Sequence, residues 1–143
     1  MTRAELLSFL RRHRIAVEAT VAKDGAPQAA VIGIAISDEL EIIFDTLDST
    51  RKFANLRSDP RIALVVGWDK EATAQIDGVA HFPTGAELDR ARDVYLSVYP
   101  DGRDRLGWPG ITHVLVRPSF VRFSDFGTSP PVFAELGPNE LSH

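Results

Sequence analysis

Four adjacent residues, Ser49-Thr50-Arg51-Lys52, are where the chain most clearly offers chemistry. They follow Leu40 to Phe44 (LEIIF), apolar and β-branched enough to be a strand. They precede Phe53, Ala54 and Leu56, which give a short helix a modest apolar face. Asp48 and Ser49 are both good N-caps for that helix. Asp59-Pro60 closes it, because the residue before proline is pushed out of the α region. Arg51 and Lys52 therefore fall in the first turn, where the macrodipole is positive and the free N–H groups point outward. Each cation there is unfavourable by up to about 1 kcal/mol, which an anionic ligand would offset. Two hydroxyls, free amides and two cations together describe a phosphate site. The same residues also describe a solvated basic helix start capped by Asp48, since any helix N-terminus attracts anions.

Other chemistry is thinly represented. There is no Walker sequence and no Gly-x-Gly-x-x-Gly loop. The four histidines (His13, His81, His113 and His143) do not pair at metal-ligand spacing. His81 and His113 fall on expected strands, where histidine is more often structural than a ligand. With no cysteine, the chain has no disulfides, thiolate metal sites or cysteine nucleophiles, and suits a reducing cytoplasm. Nothing resembles a nucleophile elbow. Trp68 and Trp108 could stack on a ring, although packing is the commoner role of tryptophan.

The elements that must position the basic turn read as follows. Thr2 and Glu5 have capping-box spacing ahead of Leu6, Leu7 and Leu10, which predicts a short N-terminal helix. Val17 to Ala22 and Gln28 to Ile36 flank Lys23-Asp24-Gly25, a hairpin signal, with Pro27 opening the second strand. Within that strand Ala29 to Ile36 (AAVIGIAI) has no polar residue on either face, so both faces need cover. Gly33 would admit a close backbone or ring. Beyond Ile62 to Val66 and Trp68, Glu71 to Phe82 alternates as a strand with Thr73, Gln75 and Asp77 on its polar side. Thr84 and Glu87 suggest a second capping box, opening a helix to Tyr99. Thr112 to Phe123 is the last expected strand, with Pro118 marking an edge or a bulge. From Gly127 the chain reads as an extended arm or tail.

The chain has 143 residues, a net charge of −4 and a pI of about 5.5. That length suits one domain with a real core, and the charge argues against general nucleic-acid binding. No apolar run approaches the ~20 residues of a membrane span, and no signal-peptide pattern opens the sequence. A cytoplasmic protein is expected. Six or seven strands, two or three short helices and no βαβ rhythm make a small barrel the leading architecture.

The stretch from Phe44 to Trp68 resembles the flavin-binding split barrels related to pyridoxamine 5′-phosphate oxidase. The places of that family's pattern are held by Thr46, Thr50-Arg51-Lys52, Asn55-Leu56, Asp59-Pro60-Arg61 and Trp68. The likeness continues more weakly from about residue 4 to residue 126. It implies a mainly β fold with a few short helices, a six- to seven-stranded antiparallel split barrel of the FMN-binding type, over residues 1–126. Residues 127–143 form the arm. It also implies a homodimer with FMN in the interface. Ser49, Thr50, Arg51 and Lys52 would hold the phosphate, with Thr46 also in the cofactor site, the ring would lie against Val31 and Ile32, and Thr73 or Gln75 would bond the flavin edge. Hydride transfer to or from a small-molecule substrate is the implied reaction, and no catalytic side chain is needed beyond the cofactor. Two departures, Ala30 and Ala35, stand where the oxidase carries an arginine and a lysine, so its own substrate is not expected here. A deazaflavin reductase, with Arg57 or Lys70 helping to hold a longer tail, and a non-enzymatic flavin- or haem-binding protein are the alternatives.

Overall fold

Thr2 and Glu5 do form a capping box: Thr2 Oγ1 accepts from the Glu5 N–H at 3.1 Å, and the Thr2 N–H donates to Glu5 Oε2 at 2.6 Å. The helix they open, α1 (Arg3–Arg12), buries Leu6, Phe9 and Leu10. The computed structural model describes residues 1–142. After α1 come β1 (Ile15–Val21), β2 (Pro27–Gly33), β3 (Ala35–Ile36), β4 (Ile42–Leu47), α2 (Arg51–Ser58), β5 (Arg61–Val66) and β6 (Ala72–His81). Then follow α3 (Gly85–Val98), a 3-10 turn over Pro100–Arg105, β7 (Ile111–Asp125), β8 (Val132–Leu136) and α4 (Pro138–Ser142).

The strands form one antiparallel sheet in the order β2-β1-β5-β6-β7-β4-β3, with β8 paired to β7 off that path. Chain connectivity makes the sheet curl. Its two terminal strands, β2 and β3, are separated by Ile34 alone, and one residue spans at most about 3.6 Å. The two edges must therefore meet, and the Ile34 N–H bonds the Arg14 carbonyl at the seam (2.9 Å). The result is the mainly β, antiparallel split barrel that the resemblance implies. Its interior is filled by Ile42 and Phe44 of β4, Leu64 and Val66 of β5, Ile76, Val114 and Val116, with Leu6, Phe9 and Leu10 of α1 packed into the same core. A smaller cluster (Ala35, Ile43, Ala91, Tyr95, Leu96, Leu115) joins α3 to the outer face of β3, β4 and β7.

Several local expectations hold. Gly25 takes a positive φ of 89° in the hairpin turn, and Pro27 opens β2. Asp59 caps the end of α2, and its carboxylate grips Arg61 (2.7 Å), which holds its pKa down at about 2. The irregularity expected at Pro118 is a bulge: Gly78 pairs with Pro118 and Asp77 with Phe120, leaving Ser119 over. Gly33 does admit a ring, that of Tyr99, whose nearest atoms stand 3.0 Å from where a Cβ would be.

Others are corrected. Thr84 precedes α3 but makes no side-chain cap, and the return half of the box is missing too, since the Glu87 carboxylate accepts from Arg117 (3.0 Å) and not from the helix start. Leu40 is not in a strand: it has a φ of 62°, and β4 begins at Ile42. The segment 127–143 does not stand off as an arm. Its β8 extends the sheet, and Leu136 and Leu141 enter the main core. The last residue of that segment, His143, lies outside the described residues.

Candidate functional site

The strand β4 delivers the chain into the turn before α2, and the turn's own hydrogen bonds decide which groups stay free. Thr50, rather than Asp48 or Ser49, is the N-cap, its Oγ1 accepting from the Phe53 N–H at 3.3 Å. The same hydroxyl donates to the Leu47 carbonyl (2.9 Å) and lies 2.9 Å from Thr46 Oγ1. Its one proton is committed to Leu47, so Thr46 is the donor of that pair and the Thr50 oxygen is saturated. Thr46 and Thr50 thus build the turn, and Ser49 is left exposed beside them. Asp48 points away, its carboxylate packed against Gly110, where φ is +80° and a Cβ would fall 2.2 Å from Oδ1. The first turn of α2 consequently holds Arg51 and Lys52 and no acidic residue.

These two cations border a cavity of about 230 Å³ whose other walls are Glu18, Thr20, Gln28, Ala29 and Ala30 from β1 and β2. Asn55 ties the helix to that wall, its Nδ2 donating to Thr20 Oγ1 (3.0 Å) and Gln28 Oε1 (2.8 Å). Glu18 is 1% exposed, and its Oε2 has no hydrogen-bond partner. Burial pushes its carboxyl pKa up, with Lys52 pulling the other way. Among the described residues neither Arg51 nor Lys52 is in an ion pair. The arrangement is a half-enclosed anion cradle with one buried acid at its back.

The hydrophobic side of β1 faces the wrong way for an isolated barrel. Ala16, Glu18 and Thr20 point into the molecule, whereas Val17, Ala19 and Val21 lie on the outer face and stay half-exposed. The outer row continues in register from Val31 through Val17 and Val65 to Gln75. Val31 and Ile32 are split by strand alternation: Val31 is 66% exposed on the outer face and Ile32 is 7% exposed in the core. A ring on the outer face can therefore meet Val31 but not the Ile32 side chain. Thr73 is half-buried and Gln75 exposed. Gln75 stands three strand spacings from Val31, about 14 Å along the sheet, so one chain does not bring those two together. Ser49, Arg51 and Lys52 are brought together, and Thr46 supports them from below.

Glu18, Thr20 and Gln28 belong to the site and escape a reading of the sequence by motif. The available signal was an acid in an otherwise apolar strand at a position alternate to the valines. Of the further cations, the Arg57 guanidinium lies over Phe82 (5.1 Å from the ring centre), and Lys70 lines a separate cavity with Phe9 and Arg12. A second polar cluster sits under α3, where Tyr95 Oη donates to Asp45 Oδ1 (3.0 Å) and Arg105 Nε to Asp45 Oδ2 (2.9 Å). His113 is buried beside it with neither ring nitrogen bonded, and its burial, with Arg92 nearby, lowers its pKa. Among the described residues no group of three His, Asp or Glu side chains could hold a metal. Trp68 and Trp108 are both half-exposed.

Comparison with known proteins places this geometry. The sequence profile of a family described as pyridoxamine 5′-phosphate oxidase matches residues 2–107. General stress protein 26 of Bacillus subtilis is 28% identical over 137 residues, covering 92% of this chain and 94% of that protein. A heme binding protein from Mycobacterium smegmatis superposes with a TM-score of 0.84 at 19% identity. That match covers 99% of this chain but only 60% of the mycobacterial one. A pyridoxamine 5′-phosphate oxidase-related, FMN binding protein from Nostoc punctiforme gives a TM-score of 0.74 at 14% identity, covering 98% and 90%. At these identities the two structures speak for the fold.

Proposed function

The chain belongs to the pyridoxamine 5′-phosphate oxidase family, and from that membership we propose that it is an FMN-binding oxidoreductase acting on a small-molecule substrate as a homodimer. The observation that carries the reading is the first turn of α2, which has two cations and no acid and opens on a walled cavity. Arg51, Lys52, the free amides of the turn and the Ser49 hydroxyl would hold the phosphate of FMN. The two cations and the acid-free first turn fit such a ligand, and the orphaned Glu18 Oε2 at the back of the cavity, a buried polar atom that would normally be partnered, would be completed by a proton on the carboxyl.

The bound flavin supplies hydride transfer, and the protein's work is binding and orientation. Val31 offers an apolar platform, and Thr73 and Gln75 offer polar contacts for the flavin edge. Val31, Val17 and Val65 form an unpartnered apolar row on the outer face, which a second copy would cover. The same association would let Gln75 of one copy approach a flavin held by the other. Ala30 and Ala35 leave out the two cations of the oxidase proper, so the substrate we propose is not a pyridoxine or pyridoxamine phosphate. FMN is favoured over a deazaflavin because Arg57 and Lys70, the cations a longer tail would recruit, are not gathered near Lys52.

The test is an absorbance spectrum of the purified protein and its titration with FMN. Flavin bands or saturable binding are expected. Arg51→Ala combined with Lys52→Ala should weaken binding at least tenfold, each charge-assisted contact being worth roughly 1.5–3 kcal/mol, with circular dichroism unchanged. Equal binding by the double variant would refute the phosphate site.

A further inference from the structure

The cavity at the head of α2 contains a contradiction: an anion site should not keep an acid at its back. Glu18 is 1% exposed, its Oε2 has no partner, and it shares the cavity with Arg51 and Lys52 without forming an ion pair to either. From α2 the charged side chains facing it are Lys52 and Arg51. Its strand neighbours are Ala30 on β2 and Leu64 on β5, and Thr20 and Gln28 already bond Asn55, so no titratable group comes from the sheet.

With the cavity empty, Lys52 is available to balance an ionised Glu18. A phosphate claims both cations and sets a second negative group beside a carboxyl that is itself 1% exposed, and a neighbouring like charge disfavours the ionised form of a buried acid. We propose that Glu18 makes this pocket take up a phosphate monoester together with a proton, which comes from the solvent and rests on the Glu18 carboxyl. The neutral carboxyl then becomes a hydrogen-bond donor, and the orphaned oxygen finds its partner in the ligand. The inference rests on the phosphate reading of α2 given above. Glu18 is a specificity residue in this scheme: it sets the pH range in which the site accepts an anion. Burial, which already pushes the Glu18 carboxyl up, and the bound dianion act in the same direction.

The experiment is calorimetric titration with FMN, and separately with inorganic phosphate, in pairs of buffers of different ionisation enthalpy from about pH 6 to 9. Wild type is compared with Glu18→Gln, close in shape and uncharged, and with Glu18→Leu, which suits the core if the glutamine variant folds poorly. Both ligands have ionisations of their own within or at the edge of this range, the phosphate monoester of FMN near pH 6, so the readout is the ratio of wild-type to variant Kd. We expect that ratio to rise at least tenfold towards the alkaline end, with net proton uptake in wild type that both variants lack. A single pH profile shared by all three proteins, with no difference in proton uptake, would overturn the proposal. If FMN fails to bind but phosphate binds with the proton linkage, the flavin reading falls and this one stands. If neither ligand binds, both fall.

Discussion

Two buried side chains that titrate, one facing α2 and one under α3, leave opposite marks on stability. His113 is buried without a partner, so its folded pKa lies below the ordinary 6.5. The unfolded chain then binds more protons, and stability is lost as pH falls below about 6.5. Glu18, raised above 4.5, does the reverse, its contribution being lost as pH rises through its folded value. On acidification Glu18 adds stability while His113 removes it, so replacing Glu18 by Gln should steepen the loss of stability as pH falls, read as the urea midpoint. An unchanged slope would mean that the two groups do not titrate as their burial dictates. Arg51 and Lys52 were legible from helix polarity alone, because a cation in a first turn is a local anomaly. Glu18 was not, because what makes it a site residue is the helix laid across it from 33 positions away.

Strands show where patterning misleads. Alternation in β1 is plain, yet it cannot say which face is inside, and the polar face (Glu18, Thr20) turned out to be the inner one. Burial of valines drives a strand inward only when the other face has somewhere better to be. Here the outer valines line up with Val31 and Val65 in a row that lacks the cover the two-faced apolar run of β2 calls for, Val31 being 66% exposed. Val31→Lys should convert a dimer into a monomer by light scattering, while leaving a monomer's own stability within about 0.5 kcal/mol. Dimerisation unaffected by the lysine would place the interface elsewhere. Capping boxes were half legible. Thr2 keeps its glutamate, whereas Glu87 abandons Thr84 for Arg117, a residue 30 positions away that no local pattern can announce.

At the level of the whole molecule, the segment after Gly127 was the least legible part, since its prolines suggest an arm. What recruits it is the open flank of β7, along which β8 pairs from Val132 to Leu136. Leu136 is 1% exposed in the main core, so Leu136→Ala should cost about 2–5 kcal/mol in chemical denaturation. A loss under 0.5 kcal/mol would return the segment to the status of a tail. That the strands make a small barrel was legible from their number and the missing βαβ rhythm, but their order was not, because strand order is a global property. Its seam at Ile34 has a further effect. Free sheet margins are where β proteins polymerise, and many guard them with charge or proline. Here the two margins are leashed together by a single buried residue. That residue is 1% exposed, so the sheet cannot open flat and part its margins without drawing a buried side chain into water.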